Sequence, residues 1–287
     1  MSKLKLNKKK TVIISVIFSL IIILTVILLI SNKALEVNEY SLEFDRLPED
    51  FDGFKIAQIS DLHNASFGKD NKRLIEKLSQ AQPDIIVITG DLVDSRRTDI
   101  ETALAFVEEA VKIAPCYYIT GNHEARISDF HLLNKGISDL GVTLLRNKSV
   151  SLKVGKSEIN LVGIDDPLFL SKDKSGYSTE ISNMLKEFNT EESFSILLAH
   201  RPHFFDIYAA RGFDLTLSGH AHGGQIRLPR ARGLFAPDQG FFPDYDSGEY
   251  TRDSSKMMVS RGIGNSIFPL RVNNPPEIVL IELKKSH

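Results

Sequence analysis

The stretch SGHAHGGQ, residues 218 to 225, sets His220 and His222 on either side of one alanine, with glycines before and after. In an extended chain the side chains at i and i+2 share a face, so both imidazoles can reach one object, and a metal ion is the obvious object. Such a pair on its own is equally at home in a solvated loop or as a satisfied polar group in a core. The other polar residues that follow apolar runs decide between these readings. FKIAQIS is followed by Asp61 and His63, DIIVIT by Gly90, Asp91 and Asp94, and CYYIT by Gly121, Asn122, His123 and Glu124, while SFSILLAH closes on His200. Each item alone reads as turn chemistry. Their repetition at the ends of five apolar runs points to one shared site.

The ligand types narrow the chemistry. Carboxylate, imidazole and amide oxygen suit Mn, Fe or Zn rather than a soft thiolate metal. Asp61, His63, Asp91, Asn122, His200, His220 and His222 are too many for one ion, and two ions sharing a bridging carboxylate would use them all. Two divalent ions against two aspartates leave the site net positive, which attracts phosphate and favours hydroxide at neutral pH.

Positioning such a set requires a sheet. From residue 52 short apolar runs alternate with helical patterns, NKRLIEKLSQAQ and TDIETALAFVEEAVKIA, the second opened by a Thr-Asp pair suited to capping. That alternation predicts βαβ units, whose strands deliver ligands at their carboxyl ends. Later runs (SVSLKV, EINLVGI, DLTLSG, QIRLP, KMMVSRGIG, EIVLIEL) read as strands with short links and few helices. The expected fold class is α/β: two sheets face to face with helices outside, a four-layer αββα sandwich. Residues 230 to 250, rich in Gly, Pro, Asp and Phe, are expected to form a long loop of functional size. Gly90, Gly121 and Gly219 stand where the chain must turn beside the site.

Composition sets outer limits. The chain has 287 residues, a formal net charge of -2 and a single cysteine. The near-neutral balance gives no electrostatic case for a nucleic-acid partner, and none is expected. Cys116 alone allows neither an internal disulfide nor a cysteine-rich zinc site, and reads as core filler. Residues 11 to 30 form an uncharged apolar run of bilayer length, with no A-x-A cleavage signature after it. Lys3, Lys5, Lys8, Lys9 and Lys10 precede the run, and Lys33, Glu36 and Glu39 follow it. The positive-inside rule therefore predicts a single-pass cell-membrane protein with a cytoplasmic N-terminus and an extracytoplasmic body. The expected parts are a basic tail (1–10), a membrane helix (11–30), a linker and first strand (31–51) and a catalytic domain (52–287).

The blocks DLH, GDLVD, GNHE, LLAH and GHAH, in this order, resemble the calcineurin-like metallophosphoesterase superfamily over residues 55 to 283. The tail SRGIGNS…RVNNPPEIVLIEL and the anchor are similar to its bacterial membrane-associated phosphodiesterase branch, related to a UDP-diacylglucosamine pyrophosphatase. The resemblance implies that Asp61, His63, Asp91 and His222 hold one ion, and Asp91, Asn122, His200 and His220 the other. His123 would be a non-ligand facing the phosphate, stabilising or protonating the leaving oxygen, with Asp94 fixing its tautomer through a hydrogen bond. The implied reaction is in-line attack of a metal-bridging hydroxide on a phosphodiester or pyrophosphate.

A tethered body favours a lipid- or envelope-linked phosphoester. The pyrophosphatase alternative conflicts with the lysine asymmetry, because a nucleotide-linked lipid is expected on the cytoplasmic side. A non-catalytic metal scaffold is a further alternative, disfavoured by intact ligand blocks. Phe235, Phe241 and Phe242 in GLFAPDQGFFPDY offer either an apolar wall and membrane contact or simple packing of the loop. Arg201, Arg227, Arg230, Arg232 and Arg261 lie near the crevice in sequence. His131, His203 and His287 fall outside every block and are expected at the surface or at helix ends.

Overall fold

The computed structural model describes residues 8–228, 232–265, 268 and 270–286. In chain order the elements are α1 (Lys8–Lys33), β1 (Glu36–Phe44), β2 (Lys55–Ile59), α2 (Lys72–Gln80), β3 (Ile85–Thr89), α3 (Ile100–Ala110) and β4 (Cys116–Ile119). There follow α4 (Phe130–Asp139), β5 (Thr143–Leu144), β6 (Lys148–Val154), β7 (Ser157–Gly163), α5 (Tyr177–Leu185), β8 (Ser195–Leu198), α6 (Phe205–Ala210) and β9 (Leu215–Ser218). A short hairpin, β10 (Phe235–Ala236) and β11 (Gly240–Phe241), precedes β12 (Gly248–Arg252), β13 (Ser255–Val259) and β14 (Glu277–Lys285).

Period-two burial builds the layers. One sheet runs β1-β14-β2-β3-β4-β5 and the other β12-β13-β9-β8-β7-β6. Ile56, Val87, Ile196, Leu198, Leu217 and Ile281 point between the sheets and form the central core. Their neighbours Ala57, Ile86 and Ile88 point the other way, against Leu74, Phe106 and Leu133 of α2, α3 and α4. Leu197 and Val259 meet Ile181, Leu185, Phe205 and Tyr208 of α5 and α6. Sheets buried on both faces explain why these strands read as unbroken apolar runs. The result is the four-layer αββα sandwich.

Asp99 caps α3, its carboxylate accepting from the Thr102 N–H at 2.9 Å. The helical cover of the second sheet is heavier than the sequence pattern suggests. α5 has nine residues and α6 six, too short to show a clear repeat or to be stable without packing. Of residues 225–229, expected as a strand, the described ones (225–228) contribute only isolated bridges, Ile226 to Val272 and Arg227 to Gly233. The stretch expected as one long loop carries the β10–β11 hairpin and the start of β12.

β2, β3 and β4 are mutually parallel, as are β7, β8, β9 and β13. The carboxyl ends of β2, β3 and β4 therefore lie on one edge of the first sheet, and those of β8 and β9 on one edge of the second. Both edges belong to the same end of the sandwich, since Gln58 of β2 donates from its side chain to the Ser218 carbonyl of β9 at 2.9 Å.

α1 is a 26-residue apolar helix, long enough to cross a membrane and exposed along nearly its whole length. Its last turn is an exception. Ser31 is buried and its hydroxyl accepts from the Asn273 N–H at 2.7 Å. The Asn32 amide brackets Arg271, donating to its carbonyl and accepting from its N–H, both at 2.9 Å. The end of the helix is thus joined to the loop that leads into β14.

Candidate active site

Each candidate ligand leaves a strand through a sharp turn. Asp61, His63, Asp91, His220 and His222 all have positive φ, between 46° and 66°. For non-glycine residues this left-handed conformation is unfavourable, and its concentration in one place marks a site held by its surroundings. Gly121 allows the two turns after β3 and β4 to touch, because a Cβ there would collide with the Asp91 carboxylate.

The turns bring the seven ligand candidates together, all of them buried. Asp61, His63 and His222 form one metal-competent cluster, and Asp91, His200 and His220 another. In the first, His63 and His222 face each other Nε2 to Nε2 at 3.3 Å, and Asp61 Oδ1 lies 3.3 Å from His222 Nε2. In the second, His220 Nδ1 is 3.2 Å from His200 Nε2 and 2.7 Å from the Asn122 amide. Asp91 Oδ2 stands between the two, 3.6 Å from His63 Nε2 and 3.3 Å from His200 Nε2.

Tautomers are set from outside the cluster. The Thr89 carbonyl lies 2.8 Å from His200 Nδ1 and can only accept, so Nδ1 carries the proton and the Nε2 lone pair points inward. The Asp238 carboxylate lies 3.0 Å from His220 Nε2 and fixes that ring in the same way, leaving the Nδ1 lone pair facing His200. Lone pairs and carboxylate oxygens converging at these distances repel one another unless a cation lies among them. The donor set therefore fits hard-to-borderline divalent ions, with Asp91 able to serve both.

The charges agree. Burial opposes ionisation of Asp61, yet His222 and His63 outweigh it and hold the carboxyl below its usual range. Asp91 is likewise held well down, burial being overcome chiefly by His200 and His123. Burial pushes His222 down to about 3, against the pull of Asp61. In His200 burial is outweighed by Asp91, and the value rises to about 10.

His123 is adjacent but turned differently. Its ring packs edge-on against His63 at 4.5 Å between centroids, and its backbone N–H donates to Asp91 Oδ1 at 2.7 Å. The expected hydrogen bond from His123 Nδ1 to Asp94 is not made, the closest approach being 3.8 Å. Asp94 instead accepts from the Arg96 N–H at 2.9 Å and pairs with the Arg96 guanidinium at 3.1 Å. The Ser95 N–H takes its place, donating to His123 Nδ1 at 2.9 Å. A backbone N–H can only donate, so the neutral ring carries its proton on Nε2. Burial lowers His123 to about 4, against the pull of Asp91.

Two further residues went unassigned from sequence. Glu124 is buried and accepts from Gly121 N–H (2.7 Å), Leu92 N–H (2.8 Å) and Asp91 N–H (2.9 Å), tying the β3 and β4 turns together. Burial, reinforced by Asp91, raises its carboxyl to about 7. Asp238, in the β10–β11 turn, also pairs with Arg201 and, at 2.5 Å, with Lys174. Nothing in its spacing links it to His220; only the folded hairpin does.

The arginines do not form an open basic lining. Arg201 is buried on Asp166 at 2.7 Å, Arg227 pairs with Asp246, Arg232 with Asp244, and Arg261 with Glu277 and Glu36. Arg230 and His287 lie outside the described residues. His131 is exposed on α4. His203 does stand before α6, but it is half-buried with its ring 6.2 Å from His220, and burial pushes it down to about 3. Cys116 is buried in β4, its thiol pushed up to about 12 by burial. Phe235, Phe241 and Phe242 are 47%, 71% and 65% exposed, so they do not serve to pack the loop onto the body.

Residues 54–224 match the calcineurin-like phosphoesterase family, and the chain belongs to it. It is 33% identical to the uncharacterized metallophosphoesterase YkuE of Bacillus subtilis over 88% of this chain and 87% of that protein. It is 28% identical to the phosphodiesterase YaeI of Escherichia coli, over 80% of this chain and 82% of that one. The fold is shared with TT1561 of Thermus thermophilus, with a TM-score of 0.50 and 11% identity over 73% of this chain and 89% of that one. The protein is a metal-dependent phosphoester hydrolase.

Asp238→Asn keeps the shape behind His220 and removes the charge. Metal affinity, read by competition against a chelator, is expected to fall about 10- to 100-fold, the usual effect of losing a carboxylate behind a ligating histidine. Unchanged affinity would mean that Asp238 does not orient His220.

Proposed function

We propose that the protein is a membrane-anchored phosphodiesterase that uses two divalent ions, Mn, Fe or Zn, on a lipid- or envelope-linked phosphoester. In this reading Asp61, His63, Asp91 and His222 hold one ion, and Asp91, Asn122, His200 and His220 the other. The observation that carries it is the position of Asp91 Oδ2, within 3.6 Å of a ligand nitrogen from each cluster. When bound, such a pair of ions supplies an activated water and neutralises the phosphoryl oxygens.

The chain's own residues do the rest. Thr89 and Asp238 keep two imidazoles in the tautomers that present lone pairs. Glu124 fixes the two turns that carry Asp91 and Asn122. His123, with Nδ1 taken by the Ser95 N–H, directs an Nε2–H that can hydrogen-bond the leaving oxygen as charge develops there. Asp94 acts at one remove, through its grip on the turn that contains Ser95. The lowered His123 pKa keeps the ring neutral near pH 7, where its Nε2–H stabilises developing charge.

The apolar helix supports a single-pass anchor, and the excess of lysine before it supports an extracytoplasmic body. Protease added to intact cells should then cut the body. A body degraded only after lysis would reverse the orientation.

The division of roles is tested by two substitutions, with bis-p-nitrophenyl phosphate as substrate. His123→Ala should retain both ions while turnover falls by roughly 10²- to 10⁴-fold. Asp91→Ala should lose the metal itself. Equal loss of metal in both variants would contradict the assignment of His123 as a hydrogen-bond donor.

A further inference from the structure

Two unlike cavities flank the metal centre. Beside His63 lies one of about 430 Å³, edged by the polar side chains of Asn64, Arg97 and Asp99. Beside His222 lies another of about 460 Å³, walled by Ile226, Leu234, Phe235, Phe241 and Phe268. The second is within the size range of a ligand pocket, and its walls are overwhelmingly apolar. A phosphodiester centred between them would send one substituent into each.

The apolar cavity continues into an apolar rim. Phe241 is 71% exposed, and Leu228, Phe268 and Leu270 are 53%, 48% and 44% exposed. Exposed aromatic and aliphatic side chains gathered around one opening mark a binding surface rather than ordinary surface scatter. The rim is built onto the end of α1. Gln225 donates from its side chain to the Phe268 and Leu270 carbonyls at 2.8 and 3.1 Å, and the next residue, Arg271, is the one Asn32 brackets. Leu29 and Ile30, one turn back in α1, are about as exposed as the rim, at 51% and 53%. The apolar surface of the helix and the mouth of the cavity thus share one edge of the molecule, fixed by hydrogen bonds. With α1 in a bilayer, that edge faces the lipid surface.

We infer that the cavity beside His222 takes an acyl chain, so that the substrate is a phosphoester carrying an alkyl or acyl group on one side, drawn laterally from the membrane with its polar group toward Arg97. This rests on the two-ion phosphodiesterase reading. A water-soluble polymer would have no use for an apolar wall beside the metals. A lipid must place its phosphate at the bilayer surface with its chain still shielded, and a cavity whose mouth lies at the anchor's exit point provides that shielding.

The test uses the full chain in detergent micelles with a series of p-nitrophenyl alkyl phosphates, from methyl to decyl. kcat/KM should rise with chain length, by up to about fourfold per buried methylene, until the cavity is filled. Phe241→Ser and Phe268→Ser, both at exposed positions, should flatten the rise and bring the decyl-to-methyl ratio toward one. Hydrolysis of the methyl ester with no dependence on length would overturn the acyl cavity and leave the phosphodiesterase standing. A dependence that survives both substitutions would also overturn it, by assigning the effect to the micelle. Failure to hydrolyse even the methyl ester with any of the three metals would overturn the underlying reading, and the inference with it.

Discussion

Two buried carboxylates, Asp61 and Asp91, surrounded by imidazoles with inward-facing lone pairs, are the constraint on which this molecule is organised. Ionised groups and unshared lone pairs cannot be packed together away from water without positive charge among them. Much of the surrounding structure maintains that demand. Thr89 and Asp238 hold protons on the far sides of His200 and His220, and Glu124 gathers the backbone N–H groups of two turns. Five candidate ligands adopt a left-handed backbone that only a firmly held environment sustains.

The sandwich supplies that environment. Parallel strands in each sheet bring their carboxyl ends to one place, and the central core of Ile56, Val87, Ile196, Leu217 and Ile281 keeps the two edges in register. Because interiors are close-packed, a shift of one sheet against the other would be resisted across this whole layer. The candidate ligands of one cluster can therefore come from both sheets, as Asp91 and His200 do, and still meet at 3.3 Å.

What the sequence disclosed follows from period and position. Strands buried on both faces are apolar runs, and a polar residue at the end of each run is visible without a structure, so the seven ligand candidates and the layers were legible. α5 and α6 were not, because nine and six residues give too few turns for a helical repeat. Asp238 was hidden because its function depends on a hairpin returning it to His220. The tautomer of His123 was misassigned to Asp94 because backbone donors such as Ser95 N–H leave no mark in a side-chain pattern. The apolar cavity was half legible: the Phe-rich stretch stood out, but its closure by Phe268 and its junction with α1 through Arg271 are features of the folded chain.

In the proposed arrangement one carboxylate oxygen of Asp91 joins two ion sites. Electron paramagnetic resonance of the full chain loaded with Mn(II) tests it most directly, since ions sharing a bridge lie about 3.5–4 Å apart and couple magnetically. A bridged pair gives a coupled-pair spectrum that integrates to two ions per chain. The spectrum of isolated Mn(II), whether from one ion per chain or from two that do not interact, would contradict it.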